Sequence, residues 1–130
     1  MSKKMHRSML QVYVKNSTQA VTFYQNAFNA KLLCNHQNED GTVAHAELTI
    51  CGQTFAVCEA RESDVHSGNT MQFCLHFGKG KEAVVKKAYD VLREECMQLT
   101  APITGPGECP WSPCLFSLID KFGVNWCVFV

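Results

Sequence analysis

The apolar positions along the chain change period several times, and each change marks an element. Met9 to Val14 (MLQVYV) is a short apolar run of β-formers and predicts a strand. Asn16, Ser17 and Thr18 follow with side chains suited to an N-cap, and Val21, Tyr24 and Phe28 then recur at i, i+3 and i+7, the apolar stripe of a helix. Lys31 to His36 (KLLCNH) predicts a second strand, and Glu39-Asp40-Gly41 a turn. Val43 to Ile50 (VAHAELTI) alternates, with Ala44, Ala46, Leu48 and Ile50 on one side and His45, Glu47 and Thr49 on the other. That is a half-buried strand with one polar face. Thr54 to Glu59 (TFAVCE) comes after Cys51-Gly52-Gln53, so these two strands are expected to form a hairpin.

A polar, aperiodic stretch from Arg61 to Asn69 predicts a linker, after which the pattern restarts. Met71 to Phe77 alternates, with Met71, Phe73, Leu75 and Phe77 on one face, and Gly78 and Gly80 break the strand. Lys81 to Met97 carries Val84, Ala88, Val91, Leu92 and Cys96 as the stripe of a second helix. Gln98 to Ile103 predicts a short strand and Thr104 to Pro113 a loop rich in proline and glycine. Cys114 to Ile119 and Val124 to Val130 are strands around an Asp120-Lys121-Phe122-Gly123 turn. The order is β-α-β-β-β twice, in a first module of about 8–60 and a second of about 70–130. It predicts an α+β fold in a single domain spanning 1–130. Two modules side by side would roll an eight-stranded mixed sheet with helices on its convex side and a concave face inside.

Composition narrows the function classes. The chain has 130 residues, and its 12 basic side chains balance 12 acidic ones. A neutral chain offers no basic footprint for a nucleic-acid backbone. Lys3, Lys4 and Arg7 make the only basic cluster and are expected to form a solvated tail. No run approaches the ~18 apolar residues of a membrane span, and the first residues lack the apolar stretch and cleavage site of a signal peptide. A cytoplasmic location is the expectation. Eight cysteines are many, yet no pair has CxxC spacing, so zinc-ribbon and thioredoxin-like sites are not indicated. Most of them are expected to be free, buried thiols acting as small hydrophobes.

Alternation places Gln11, Tyr13, His45, Glu47, Thr49, Cys58, Gln72, Cys74, His76, Asn125 and Cys127 on the concave side. So many polar groups do not belong in a closed core and point to a cavity filled by solvent or ligand. His45 and Glu47, about 7 Å apart along a strand and on one side of it, are the candidate catalytic pair, as base and orienting acid. Gln11, Tyr13, Thr49, Gln72, Cys74, His76, Asn125 and the loop residue Trp111 are the candidate ligand-binding residues. Cys58, Cys74 and Cys127, with Met9 nearby, would make a soft metal site if their strands were neighbours.

The paired β-α-β-β-β pattern resembles the vicinal oxygen chelate superfamily, which includes glyoxalase I, fosfomycin-resistance enzymes, extradiol dioxygenases and bleomycin-resistance proteins. Its PhnB-like branch is the most similar. The residues that carry the resemblance are Phe23-Tyr24-Gln25-Asn26-Ala27-Phe28-Asn29-Ala30, Ala44-His45-Ala46-Glu47-Leu48 followed by Gly52, Trp111, and Asp120-Lys121-Phe122-Gly123-Val124-Asn125-Trp126. Trp126 alternates with Val128 and Val130, so all three are expected to meet the outer helices, and Gly123 suits a tight turn that needs positive φ. The resemblance implies a homodimer. Metal-dependent members take histidines and glutamates from four strands of the concave face. Counting from shared landmarks, those positions here fall on Met9, Gln72, Cys127 and either Ala56 or Cys58, so the usual hard ligand set is missing. No cofactor is predicted, and a divalent metal is retained only as an alternative.

Three functions follow as expectations. The chain binds a small molecule in its concave cavity without the usual His/Glu metal site. Alternatively it is a metal-dependent lyase, isomerase or transferase with an altered ligand set, or a structural or regulatory homodimer with a vestigial cavity. No nucleic acid or membrane partner is expected.

Overall fold

The computed structural model describes residues 4–62 and 65–130. Lys3 and residues 63–64 of the expected linker at 61–69 lie outside the described residues. The elements run β1 (Leu10–Val14), α1 (Ser17–Phe28), β2 (Lys31–Gln37), β3 (Val43–Ile50), β4 (Gln53–Glu59), β5 (Phe73–His76), α2 (Glu82–Leu92), β6 (Gln98–Ala101), β7 (Leu115–Ile119) and β8 (Asn125–Phe129). This is the expected β-α-β-β-β order, twice over. The eight strands form two four-stranded mixed sheets, ordered β1-β4-β3-β2 and β5-β8-β7-β6, and the sheets do not close on each other. In each sheet the first strand of the unit lies at an edge, parallel to the last, and the other pairings are antiparallel.

Alternation along the strands decides which way each side chain points. Val14, Ala46, Leu48, Phe55, Val57, Leu75, Phe116, Leu118, Trp126 and Val128 are buried in one continuous core that also takes the apolar stripes of both helices. Trp126 is fully buried at its centre, with ring centroids 5.5 Å from Tyr24, 5.0 Å from Phe28, 6.1 Å from Phe55 and 5.4 Å from Phe73. It thus packs on α1, as expected, and also joins the two sheets.

A buried carboxylate ties the same seam together. Asp120 is fully buried between β7 and β8. Its Oδ2 accepts from Tyr24 Oη at 2.7 Å and Trp126 Nε1 at 2.8 Å, while its Oδ1 accepts from the backbone N–H of Phe122 at 2.9 Å and Val124 at 3.0 Å. Burial pushes its pKa up although all four hydrogen bonds pull it down. Gly123 completes this turn at φ +92°, a conformation that costs glycine nothing. The β3–β4 hairpin is tighter. Cys51 and Gly52 are its two loop residues, both with positive φ, as a type I′ hairpin requires.

Three local expectations are corrected. The N-terminus of α1 is not capped by its own side chain: Asn16 is left-handed and makes no side-chain cap bond. Glu59, at the end of β4, reaches over instead and accepts from Ser17 N at 3.0 Å and Ser17 Oγ at 2.7 Å. A carboxylate there also meets the positive end of the helix dipole. The second helix ends at Leu92, five residues short of Met97, and its stripe is Val85, Ala88, Tyr89 and Leu92. Glu94 and Glu95 would oppose the negative end of a longer helix, and Met97 N already donates to Ile119 O to enter the second sheet. Only Cys58 and Cys114 of the eight free cysteines are buried, so most do not serve as core filler.

Candidate functional site

The polar residues expected on one concave face fall into two groups, one on each sheet. On the first sheet the register sets Gln11 beside Ala56 and Ala56 beside Glu47, while Tyr13 lies beside Cys58 and His36 beside His45. On the second, Cys74 pairs with Cys127, which pairs with Ser117, and His76 pairs with Phe129. Gln72 and Asn125 stand one step before them.

The candidate catalytic pair is in contact. His45 Nε2 lies 2.9 Å from Glu47 Oε2. Glu47 is buried beneath Arg7, whose Nη1 and Nη2 donate to the two carboxylate oxygens at 2.7 and 2.9 Å. Arg7 is therefore not part of a free basic tail, and its role had no signal in the local sequence because the partner lies 40 residues on. The Arg7 fork, then the His45 hydrogen bond, hold the Glu47 carboxyl down at about 2. A carboxylate only accepts, so the Nε2 of His45 donates to it, and whenever the ring is neutral its Nδ1 is left as an acceptor. That Nδ1 faces Cys58 Sγ at 3.8 Å. Burial pushes the Cys58 thiol up.

The candidate ligand-binding residues divide by place. A groove of about 1030 Å³ runs between the edges of β1 and β5, and Met9, Tyr13, Gln72, Cys74, His76 and Asn125 line it. Leu10, Val12, Phe73 and Leu75 supply apolar walls. Gln72 Nε2 donates to Asn125 Oδ1 at 3.1 Å across the mouth, and the His76 ring stacks on Phe129 with centroids 4.6 Å apart. Gln11 and Thr49 do not line this groove; Gln11 Nε2 donates to Tyr13 Oη at 2.9 Å. Trp111 is 72% exposed on its loop, apart from the groove walls.

The expected sulfur cluster is split. Cys74 and Cys127 are neighbours on the second sheet, whereas Cys58 stands on the first beside His45. Burial, reinforced by Cys74 and Cys109, pushes the Cys127 thiol to about 11. No group of three or more His, Cys, Asp or Glu side chains among the described residues is placed to hold a metal ion. The positions that metal-dependent relatives would use do not fit one either. Met9 is a thioether, the Gln72 amide is bonded to Asn125, and the fourth position falls either on Ala56, which has no donor atom, or on Cys58, which stands on the first sheet beside His45 while Cys127 is on the second.

No family model and no curated protein matches the sequence. Solved structures do match in fold. A PhnB protein from Bacillus cereus is 19% identical with a TM-score of 0.77, over 95% of this chain and 98% of that one. A gene product from Arabidopsis thaliana is 25% identical with a TM-score of 0.64, over 98% and 100%. The antibiotic-binding protein TnmS3 from a Streptomyces species is 14% identical with a TM-score of 0.64, over 99% and 98%. The architecture is the glyoxalase/bleomycin-resistance-like, vicinal oxygen chelate fold that the resemblance implied. No helix among the described residues is long and apolar enough to cross a membrane.

Proposed function

We propose that the chain binds a small organic molecule in the groove between β1 and β5. The observation that carries this reading is the groove itself. It holds about 1030 Å³ between two unpaired strand edges, with apolar walls and a polar rim of Tyr13, Gln72, His76 and Asn125. That combination of apolar area with a few convergent polar groups is what small-molecule sites provide. It takes in five of the eight residues proposed for ligand binding, namely Tyr13, Gln72, Cys74, His76 and Asn125, and leaves out Gln11, Thr49 and Trp111. The same fold serves in a protein described as antibiotic-binding, which supports small-molecule binding as a use of it. The proposed binding draws on no metal.

A thermal-shift screen with drug-sized, oxygen-rich aromatic compounds tests it. A ligand present at 100 times its Kd stabilises by about 2.7 kcal/mol, a shift well outside scatter. Cys74→Trp places a bulky ring on the groove wall and should abolish the shift. Shifts that survive this substitution would move the site elsewhere, and uniformly null shifts would leave the groove without a role.

A further inference from the structure

Cys58, His45 and Glu47 make a hydrogen-bonded series that the groove does not use. The three side chains come from the neighbouring strands β3 and β4. The ionised Glu47, clamped by Arg7, fixes the ring hydrogen of His45 on Nε2 and leaves the Nδ1 lone pair facing the Cys58 thiol at 3.8 Å. A nucleophile, a base and a third group that orients the base is the arrangement of thiol activation. The separation is long for a formed bond, as such contacts are before a substrate arrives. Cys58 is 5% exposed, so a reagent that reaches it must be small.

We propose that Cys58, His45 and Glu47 form a thiol-activation site that captures a small α,β-unsaturated carbonyl compound as a covalent adduct. The thiol gives its proton to His45 Nδ1 as a sulfur lone pair forms the S–C bond at the β-carbon. The alkene π pair moves onto the α-carbon and carbonyl as an enolate. The imidazolium then returns the proton to the α-carbon, which leaves a thioether and a neutral ring. Nothing leaves and no oxidant is needed. Acyl transfer suits the site less well, because the backbone N–H groups around Cys58 are spent in the β1–β4 and β3–β4 ladders and cannot form an oxyanion hole. Cys58 is the nucleophile and His45 the base. Glu47 is a positioning residue that acts through His45.

Acrylamide is the probe, and site-resolved mass spectrometry of the intact folded chain follows adducts at each cysteine. Cys114, 2% exposed and also pushed up by burial, is the internal control with no imidazole bonded to it. Cys58 should react roughly tenfold or more faster than Cys114, and His45→Asn should remove that advantage while leaving Cys114 unchanged. Glu47→Gln should give a smaller loss. A purely structural His45 would do the reverse, since its removal would loosen the strands and speed both thiols. The wild-type pH profile gives a second readout that needs no variant. His45 on β3 and Tyr13 on β1 neighbour Cys58, and Glu47 on β3, His36 on β2 and Arg7 ahead of β1 lie one step further out, next to His45 or Glu47. Between the ordinary imidazole value of about 6.5 and the thiol range, the only window that discriminates, base assistance should make the Cys58 rate rise less than tenfold per pH unit. A Cys58 no faster than Cys114, an unchanged or faster rate in His45→Asn, or a full tenfold rise per pH unit in that window would each overturn the proposal. None of these results depends on whether the groove binds a ligand.

Discussion

The two β-α-β-β-β units share one strand order and one register, yet their polar faces are chemically opposite. When β1 and β5 are aligned on their first residues, Glu47 stands where the second sheet has Ser117, His45 where it has Leu115, and Cys58 where it has Phe129. The first face is an ion-paired relay that holds a carboxylate at about 2, and the second is a thiol row whose Cys127 is held at about 11. Burial in the core fixes the inward side of β3, β4, β7 and β8, whereas β2 and β6 have no buried residue. The other side is free to vary, and this chain has used that freedom to place its charge on one sheet only. The buried carboxylates of the two units differ in the same way. Glu47 is paired with a cation, whereas Asp120 is held by four neutral donors.

That contrast is broken most severely at Asp120. Asp120→Ala leaves the Tyr24 hydroxyl, the Trp126 indole and two backbone N–H groups without their acceptor at the seam between the sheets. The expected cost is about 3–4 kcal/mol, read from denaturant midpoints. Asp120→Asn should cost less, because one acceptor oxygen survives. A loss no larger than that of a surface substitution would mean that the seam is held by ring packing alone.

The two carboxylates should also carry opposite pH dependence. Glu47 has a lowered pKa, so its contribution is present above the ordinary value of 4.5 and is lost as pH falls toward about 2. Asp120 has a raised pKa, so its contribution is greatest at low pH and declines as pH rises through its folded value. Stability measured from pH 2 to 6 should therefore show Glu47→Gln flattening the acid limb and Asp120→Asn steepening it. Parallel curves for the wild type and Glu47→Gln would mean that the Arg7 fork does not persist in solution.

A smaller effect is expected at the helix starts. Glu59 caps α1 from across the sheet, while α2 has an acidic residue, Glu82, in its own first turn and no side-chain cap. Glu59→Ala removes an acceptor and a favourable charge and should cost about 1 kcal/mol. Glu59→Gln should recover the hydrogen bond and lose only the charge term.

The strands were legible in the sequence wherever apolar and polar residues alternate. The bounds of Val43–Ile50 are read to the residue, although Ala44, expected on the apolar side, is exposed while Val43 is buried, and Trp126 is placed correctly in the core by its spacing from Val128 and Val130. What alternation cannot show is contact across the chain. It sets His45 and Glu47 on one face of β3 but is silent on Arg7, 40 residues away, and on Cys58, which reaches His45 only because of the β3–β4 register. It also cannot show whether two sheets meet edge to edge. The expected single concave face therefore resolves into a relay on one sheet and a groove at the edges of both. The cysteine expectation failed for a related reason. Composition suggests burial, but exposure follows from strand parity and edge position, and Cys74 sits on the open face of an edge strand.

The smallest effect belongs to the turns, where the units differ in length. The second unit spends Asp120 through Val124 on its β7–β8 turn and stabilises it with side-chain hydrogen bonds, while the first closes β3–β4 with Cys51 and Gly52 alone. Cys51 adopts φ +49° with a side chain, a conformation that costs an L-residue roughly 1 kcal/mol or more. Cys51 is exposed at the rim of the groove, so removing its side chain should cost the fold little packing. Cys51→Gly relieves the strain in the folded state but adds freedom to the unfolded chain. The net expectation is a gain of a few tenths of a kcal/mol, seen as a higher denaturant midpoint with an unchanged slope. Gly52→Ala, at φ +83°, should move the midpoint the other way by about 1 kcal/mol. Opposite signs at adjacent positions would show that the backbone conformation of this turn, rather than any contact, sets the register that brings Cys58 to His45. Equal signs would place that control in the strands themselves.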